Sequence, residues 1–181
     1  MTFAYLFAWR EYLQPHVSTR DDSLLVLAHS SLDDTSYLLP PLGGGNRAEV
    51  LASALREAAD HGLTRAASRL PAELAESLTG KEEFTGEKEP KRADYVYRQS
   101  DLRDLPLPDY RDKRNRARKF WSSYPGAQYR SMDAELAAQC VQFCKRWRRN
   151  HPKGDEPGLV REVEAVSIML NNFEWLGMQG G

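Results

Sequence analysis

Along the first half of the chain the apolar positions change period several times, and each change marks an element. Leu6, Phe7, Trp9 and Leu13 recur at helical spacing over Phe3 to Tyr12, and Pro15 ends the pattern, so the chain opens on a short amphipathic helix. Leu24-Leu25-Val26-Leu27-Ala28 is a compact apolar run between Asp21-Asp22-Ser23 and Ser30-Ser31, the signature of a buried strand. Ser36-Tyr37-Leu38-Leu39 predicts a second strand closed by Pro40-Pro41, with the polar Leu32-Asp33-Asp34-Thr35 as hairpin connection. Gly43-Gly44-Gly45 follows, and Asn46 caps a helix to about His61 whose buried face is Ala48, Leu51, Ala52, Leu55, Ala58 and Ala59. Gly62 suits its C-terminal end. A short strand is expected over 63–69, then a helix over 70–78 with Pro71 early and Gly80 beyond it. Lys81 to Lys91 reads as a loop around a short edge strand near Phe84.

In the second half, Tyr95-Val96-Tyr97 has strand character, and Ser100 and Asp101 suit the cap of a short helix stopped by Pro106 and Pro108. From about Asp109 to Tyr124 a helix is expected with Tyr110, Ala117, Phe120 and Trp121 as an apolar stripe by which it docks. Ala127 to Met132 reads as a strand with Tyr129 inward, and Asp133 caps a helix from Ala134 to about Arg149. Residues 151–158 are a hydrophilic loop. The last helix, Leu159 to Leu176, has an apolar surface (Val163, Val166, Ile168, Met169, Leu170, Phe173) too broad to leave in water. It is expected to pack on the first part of the chain or to mediate self-association. Strands and helices together make an α/β chain.

Composition refines this picture at one place. An apolar fraction of 41% supports a core, and the net charge of −1 conceals a basic region over 91–149 after a mildly acidic first ninety residues. That is a local electrostatic footprint, not a globally basic nucleic-acid protein. It peaks in the helix of residues 109–124, where Arg111, Lys113, Arg114, Arg116, Arg118 and Lys119 fall within nine residues. Arg presents a planar fork that matches phosphate oxygens, so two readings stand: a solvated charged helix, or one that grips phosphate. Gly43, Gly44 and Gly45 carry a similar pair of readings, a tight turn that needs glycine or a phosphate cradle at a helix N-terminus, with no dinucleotide fingerprint or P-loop lysine beside them.

Other chemistry is sparse. His16, His29, His61 and His151 are scattered without metal-ligand spacing, so no metal is expected. Cys140 and Cys144 share one helix face and suit structural thiols in a reducing cytoplasm. Glu162, Glu164 and Glu174 on the last helix read as surface charge, and no serine has a nucleophile-elbow context. No apolar run approaches the roughly 20 residues of a spanning helix, and no secretory leader is evident.

Asp94-Tyr95-Val96-Tyr97, Asp101-Leu102 and Lys113-Arg114-Asn115, with Phe120 and Tyr124 beyond, resemble the signature of the phosphatidylglycerol lysyltransferase C-terminal-domain family. Leu6-Phe7-Ala8-Trp9-Arg10, Leu38-Leu39-Pro40-Pro41-Leu42-Gly43 and Asn172-Phe173-Glu174-Trp175-Leu176-Gly177 extend the resemblance in the right order over nearly the whole chain. The resemblance implies a GNAT-like (acetyltransferase-like) mixed sheet with flanking helices over 1–98, a linker with the basic helix over 99–126, and a partial second GNAT-like module over 127–181. It implies transfer of an aminoacyl group from aminoacyl-tRNA to an anionic membrane lipid, at the inner face of the membrane. Lys113, Arg114, Arg116 and Arg118 would then be positioning contacts for phosphate, and no cofactor is expected. The catalytic base is not identified. Because the second module stops short of its strands, the expectation is a chain without turnover of its own. Two other readings remain at this stage: a non-catalytic phosphate- or RNA-binding module, and an acyl-CoA-dependent N-acyltransferase.

Overall fold

The computed structural model describes residues 2–31, 34–80, 83–90, 96–106 and 108–181. Contacts divide the chain into two compact units, one of residues 1–88 with 133–178, the other of residues 89–132 with 179–181.

The first unit is built on β2 (Ser23–Ser30), the strand expected from the apolar run, extended by two residues at its C-terminal end. On one side it pairs antiparallel with β1 (His16–Arg20), and on the other with β3 (Thr35–Leu38) and β4 (Leu42–Gly43). The Leu39 N–H still donates to the Val26 carbonyl at 2.9 Å. Pro40 and Pro41, which have no N–H, interrupt that side of the ladder and split it into two short strands. Strand β1 was not expected. Its residues are largely exposed and show no apolar alternation, because an edge strand with one free side needs only the ladder. The turn joining it to β2 is made by Asp21 and Asp22, with φ of 46° and 58°. Two residues of positive φ match the twist of a two-residue hairpin.

Both faces of β2 are buried, which is why its sequence runs apolar without alternation. Leu25 faces a core with Leu38 of β3, with Val50, Leu51 and Leu55 of α3 (Arg47–Asp60), and with Leu74 and Leu78 of α4 (Ala72–Thr79). Val26 and Ala28 face a smaller core with Leu13 and Leu39, on which Tyr5, Leu6 and Trp9 pack. Those three come from the opening segment, which is two helices and not one: α1 (Phe3–Ala8) and α2 (Arg10–Leu13) break at Trp9 and end at Gln14 in the left-handed region before Pro15. The strand expected over 63–69 reduces to one parallel bridge between Ala67 and Leu38, held by Leu38 N–H to Ala66 and Ser68 N–H to Leu38. Near Phe84 no strand is found among the described residues. Phe84 instead packs against the larger core.

Helix α7 (Ala134–Asn150) starts where Asp133 predicts, its carboxylate accepting from the Leu136 N–H at 2.7 Å. Helix α8 (Pro157–Asn171) begins two residues before the expected start, with Pro157 in its first turn, and ends five residues early. Its apolar surface is taken up within the chain by α7 and α1, burying Val163, Ala165 and Phe173. Phe3 and Phe7 of α1 meet Trp175 at ring-centroid distances of 5.8 Å and 5.1 Å. The Tyr12 hydroxyl donates to Glu164.

The second unit holds α5 (Gln99–Asp104) and α6 (Arg111–Ser123). Arg98 is the N-cap of α5 and makes no side-chain cap, so Ser100 and Asp101 lie inside the helix and do not cap it. Of the strand expected at 95–97, Tyr95 lies outside the described residues, and Val96 and Tyr97 join no ladder. Residues 127–132 also form no strand: no strand among the described residues offers them a ladder, and Tyr129 is exposed. The Met132 N–H donates to the Gly180 carbonyl at 2.8 Å. A mixed α/β chain with an antiparallel sheet and flanking helices is the result.

Candidate functional site

Helix α6 follows a turn over 108–110, and the Arg114 N–H closes its first bond on the Tyr110 carbonyl at 2.9 Å. None of its residues is buried, so the aromatic edge predicted to dock does not. What holds the helix instead is a small cluster at its start. The Lys113 ammonium lies 5.1 Å from the Tyr97 ring centroid and 5.6 Å from that of Tyr110. Such cation–π contacts are worth about 0.5–1 kcal/mol at exposed positions. The Tyr110 hydroxyl reaches Asp101 at 3.5 Å, and desolvation, followed by the Asp101 carboxylate, raises its pKa above the ordinary tyrosine value.

The remaining cations divide by helical geometry. At about 100° per residue, Arg111, Arg114 and Arg118 fall within one stripe roughly 60° wide. Arg116 and Lys119 lie across the helix, and Lys113 belongs to the aromatic side. The four residues expected to act together are therefore not on one face. Among the described residues, Arg111, Arg114, Arg116, Arg118 and Lys119 make no ion pair with a carboxylate. Arg111 was part of the basic run but not of the expected set; its spacing of three and seven from Arg114 and Arg118 was the available signal.

The glycine turn belongs to the first unit. Strand β4 ends at Gly43, Gly44 and Gly45 form the bend, and Asn46 caps α3 by accepting from the Glu49 N–H at 3.3 Å. Gly43 has φ of 125°, and a Cβ there would press on the Asp22 carbonyl oxygen. The Gly44 N–H donates to that same oxygen at 3.3 Å, and the Ser23 hydroxyl donates to the Gly44 carbonyl at 2.8 Å. Two backbone turns thus press together here, and glycine is required by that approach. An open concavity of about 430 Å³ lies beside them, lined by Thr19, Arg20, Asp21, Asp22, Ser23, Leu24 and Leu42. Its two aspartates oppose an anion.

One polar constellation was not foreseen. On the β2–β3 hairpin, His29 Nδ1 is 3.0 Å from Ser36 Oγ, and its Nε2 is 3.3 Å from Asp34. His29 and Ser36 are register partners, so the contact is a cross-strand pair. Asp34 stands in open water, which gives this trio none of the shielding a nucleophilic serine requires. Among the described residues, no group of three or more His, Cys, Asp and Glu side chains is placed to hold a metal ion, and no helix is long and apolar enough to cross a membrane.

Comparison with known proteins adds the following. The family described as "Phosphatidylglycerol lysyltransferase, C-terminal" matches residues 1–181. No curated protein matches the chain. The crystal structure of a conserved protein of unknown function from Bacteroides thetaiotaomicron VPI-5482 shares the fold, with a TM-score of 0.79 at 24% identity over 98% of this chain. The chain spans 60% of that protein's length.

Proposed function

The chain belongs to the phosphatidylglycerol lysyltransferase C-terminal family, and from that premise we propose that it serves transfer of an aminoacyl group from aminoacyl-tRNA to an anionic membrane lipid. In this reading residues 1–98 are a GNAT-like module, 99–126 a linker bearing α6, and 127–181 part of a second module. The observation that carries the reading is the stripe of Arg111, Arg114 and Arg118, three guanidinium groups without a carboxylate partner among the described residues. Both donor and acceptor are rich in phosphate, and an uncompensated row of forks suits phosphate oxygens.

The chemistry asks little more of this element than position. A lipid hydroxyl attacks the ester carbonyl of the charged tRNA. A new ester forms, the bond to the terminal ribose oxygen breaks, and the proton of the lipid hydroxyl passes to that leaving oxygen, directly or through a base. Because the amino acid is already activated, orientation of the two reactants is the main contribution. Lys113 anchors α6 to Tyr97 and Tyr110, while Arg114 and Arg118 take the phosphates. Arg116, on the far side, touches a different phosphate or none. The glycine turn is left to its backbone role.

Residues 133–178 supply two helices and no strand among those described, so the sheet of a second module is not theirs. Accordingly the 181-residue chain is expected to bind without turning over. The test is to present it with aminoacyl-tRNA and vesicles containing phosphatidylglycerol. Retention of the charged tRNA at low salt, weakened by Arg114→Ala with Arg118→Ala, and no aminoacyl lipid in the extract, is the expected result. Absence of tRNA retention would remove the reading, and steady lipid product would overturn the division of labour.

A further inference from the structure

The C-terminal end of α6 carries three aromatic side chains in water: Phe120, Trp121 and Tyr124 are 46%, 57% and 61% exposed. Phe120 contacts both of the others, its ring centroid lying 5.3 Å from that of Trp121 and 5.3 Å from that of Tyr124. At about 100° per residue, Phe120, Tyr124, Ala117 and Trp121 fill one sector roughly 100° wide. The arginine stripe adjoins that sector on the Trp121 side. Asp112, the one acidic residue of the helix, lies on the opposite flank. A group of rings bordered by guanidinium groups without a carboxylate partner among the described residues is thus displayed along a helix of which no residue is buried.

We propose that this face of α6 docks on the surface of an anionic bilayer, with Phe120, Trp121 and Tyr124 entering the headgroup layer and Arg111, Arg114 and Arg118 held among the lipid phosphates. The inference deepens the function proposed above, from which it takes only the anion-binding role of α6. Its own evidence is the exposed ring cluster, which phosphate positioning does not need. Interfacial helices combine just these parts, an aromatic side that sinks to the acyl boundary and a basic flank that meets anionic lipid. Tyr and Trp suit that depth because each joins an apolar body to a polar tip.

RNA would use exposed rings differently. Unpaired bases stack on separate platforms whose faces are open. Here Phe120 is engaged by two rings at once, at interplanar angles of 77° and 43°, so it is not an open platform for a base. Charge complementarity is common to both partners; the engagement of Phe120 by both neighbouring rings favours the bilayer.

The experiment uses the full chain with vesicles of phosphatidylcholine alone, or of phosphatidylcholine with about one third phosphatidylglycerol. Wild-type protein should sediment with the anionic vesicles and not with the neutral ones. Replacing Phe120, Trp121 and Tyr124 together by Ser should weaken that binding roughly tenfold or more. The same variant should keep its affinity for tRNA and its unfolding transition. With brominated phosphatidylglycerol, quenching of the wild-type fluorescence should largely disappear in Trp121→Phe, a change that leaves the protein vesicle-bound. Unaltered vesicle binding by the triple-serine variant would overturn the proposal, as would quenching that survives in Trp121→Phe. Loss of tRNA affinity with vesicle binding intact would assign the rings to RNA; that outcome sinks the inference but spares the proposed function. Loss of tRNA binding in the arginine variants alone bears on that function and not on the rings.

Discussion

Two residues show how local geometry fixes what the first unit tolerates. Gly43 combines positive φ with a backbone oxygen where a side chain would stand, so Gly43→Ala is strained twice over. It should destabilise by roughly 1–3 kcal/mol, whereas Gly44→Ala, which meets open space, should cost much less. Urea unfolding of the two variants checks the contrast. Glu57 accepts a hydrogen bond from Arg20, and that bond, followed by the Arg20 charge, lowers its pKa below the ordinary glutamate value. A carboxylate depressed in the folded state adds stability that is present above its unfolded pKa and is lost as pH falls through the folded value. Wild type should therefore be slightly more stable than Glu57→Gln at pH 7, and the gap should close below the ordinary glutamate range. The effect is small because both partners are partly exposed. Thermal unfolding at the two pH values reads it, and a gap that persists in acid would deny the pair its role.

At the scale of elements, α8 and α6 are opposites. Helix α8 is held between α7 and α1, and the buried Phe173 just beyond it closes that packing. Phe173→Ala should cost roughly 3 kcal/mol, against little for Phe143→Ala on the open side of α7. Chemical denaturation separates these outcomes, and equal costs would mean that the packing is wrongly assigned. Helix α6 buries nothing, and its sequence is spent on charge and rings. Because Lys113 is engaged over two tyrosines while the half-buried Arg114 has no carboxylate partner among the described residues, Lys113→Ala should weaken tRNA binding less than Arg114→Ala does. The order of the two dissociation constants decides the point.

Across the whole molecule, the sequence was legible wherever the signal was local. Asn46 and Asp133 cap helices as side-chain chemistry requires, and the apolar run of 24–28 reads as the buried strand it forms. Edges were not legible. Strand β1 exists because β2 offers it a ladder, and residues 127–132 form no strand without one, although their compositions suggest the reverse. The basic helix was evident from its run of Arg and Lys, but not which cations align, because that depends on phase and on Tyr97 and Tyr110 capturing Lys113. That its aromatic edge would remain in water was beyond any periodicity, since a stripe looks the same docked or exposed. The account as a whole rests on α6 as the element that holds phosphate. The most direct measurement is the salt dependence of tRNA binding by wild type and by a variant with Arg111, Arg114 and Arg118 changed to Ala. If the stripe grips phosphates, the log–log slope should flatten by about 2–3 units, close to 0.7–0.9 for each of the three contacts removed, with weaker binding at low salt. An unchanged slope and affinity would contradict it.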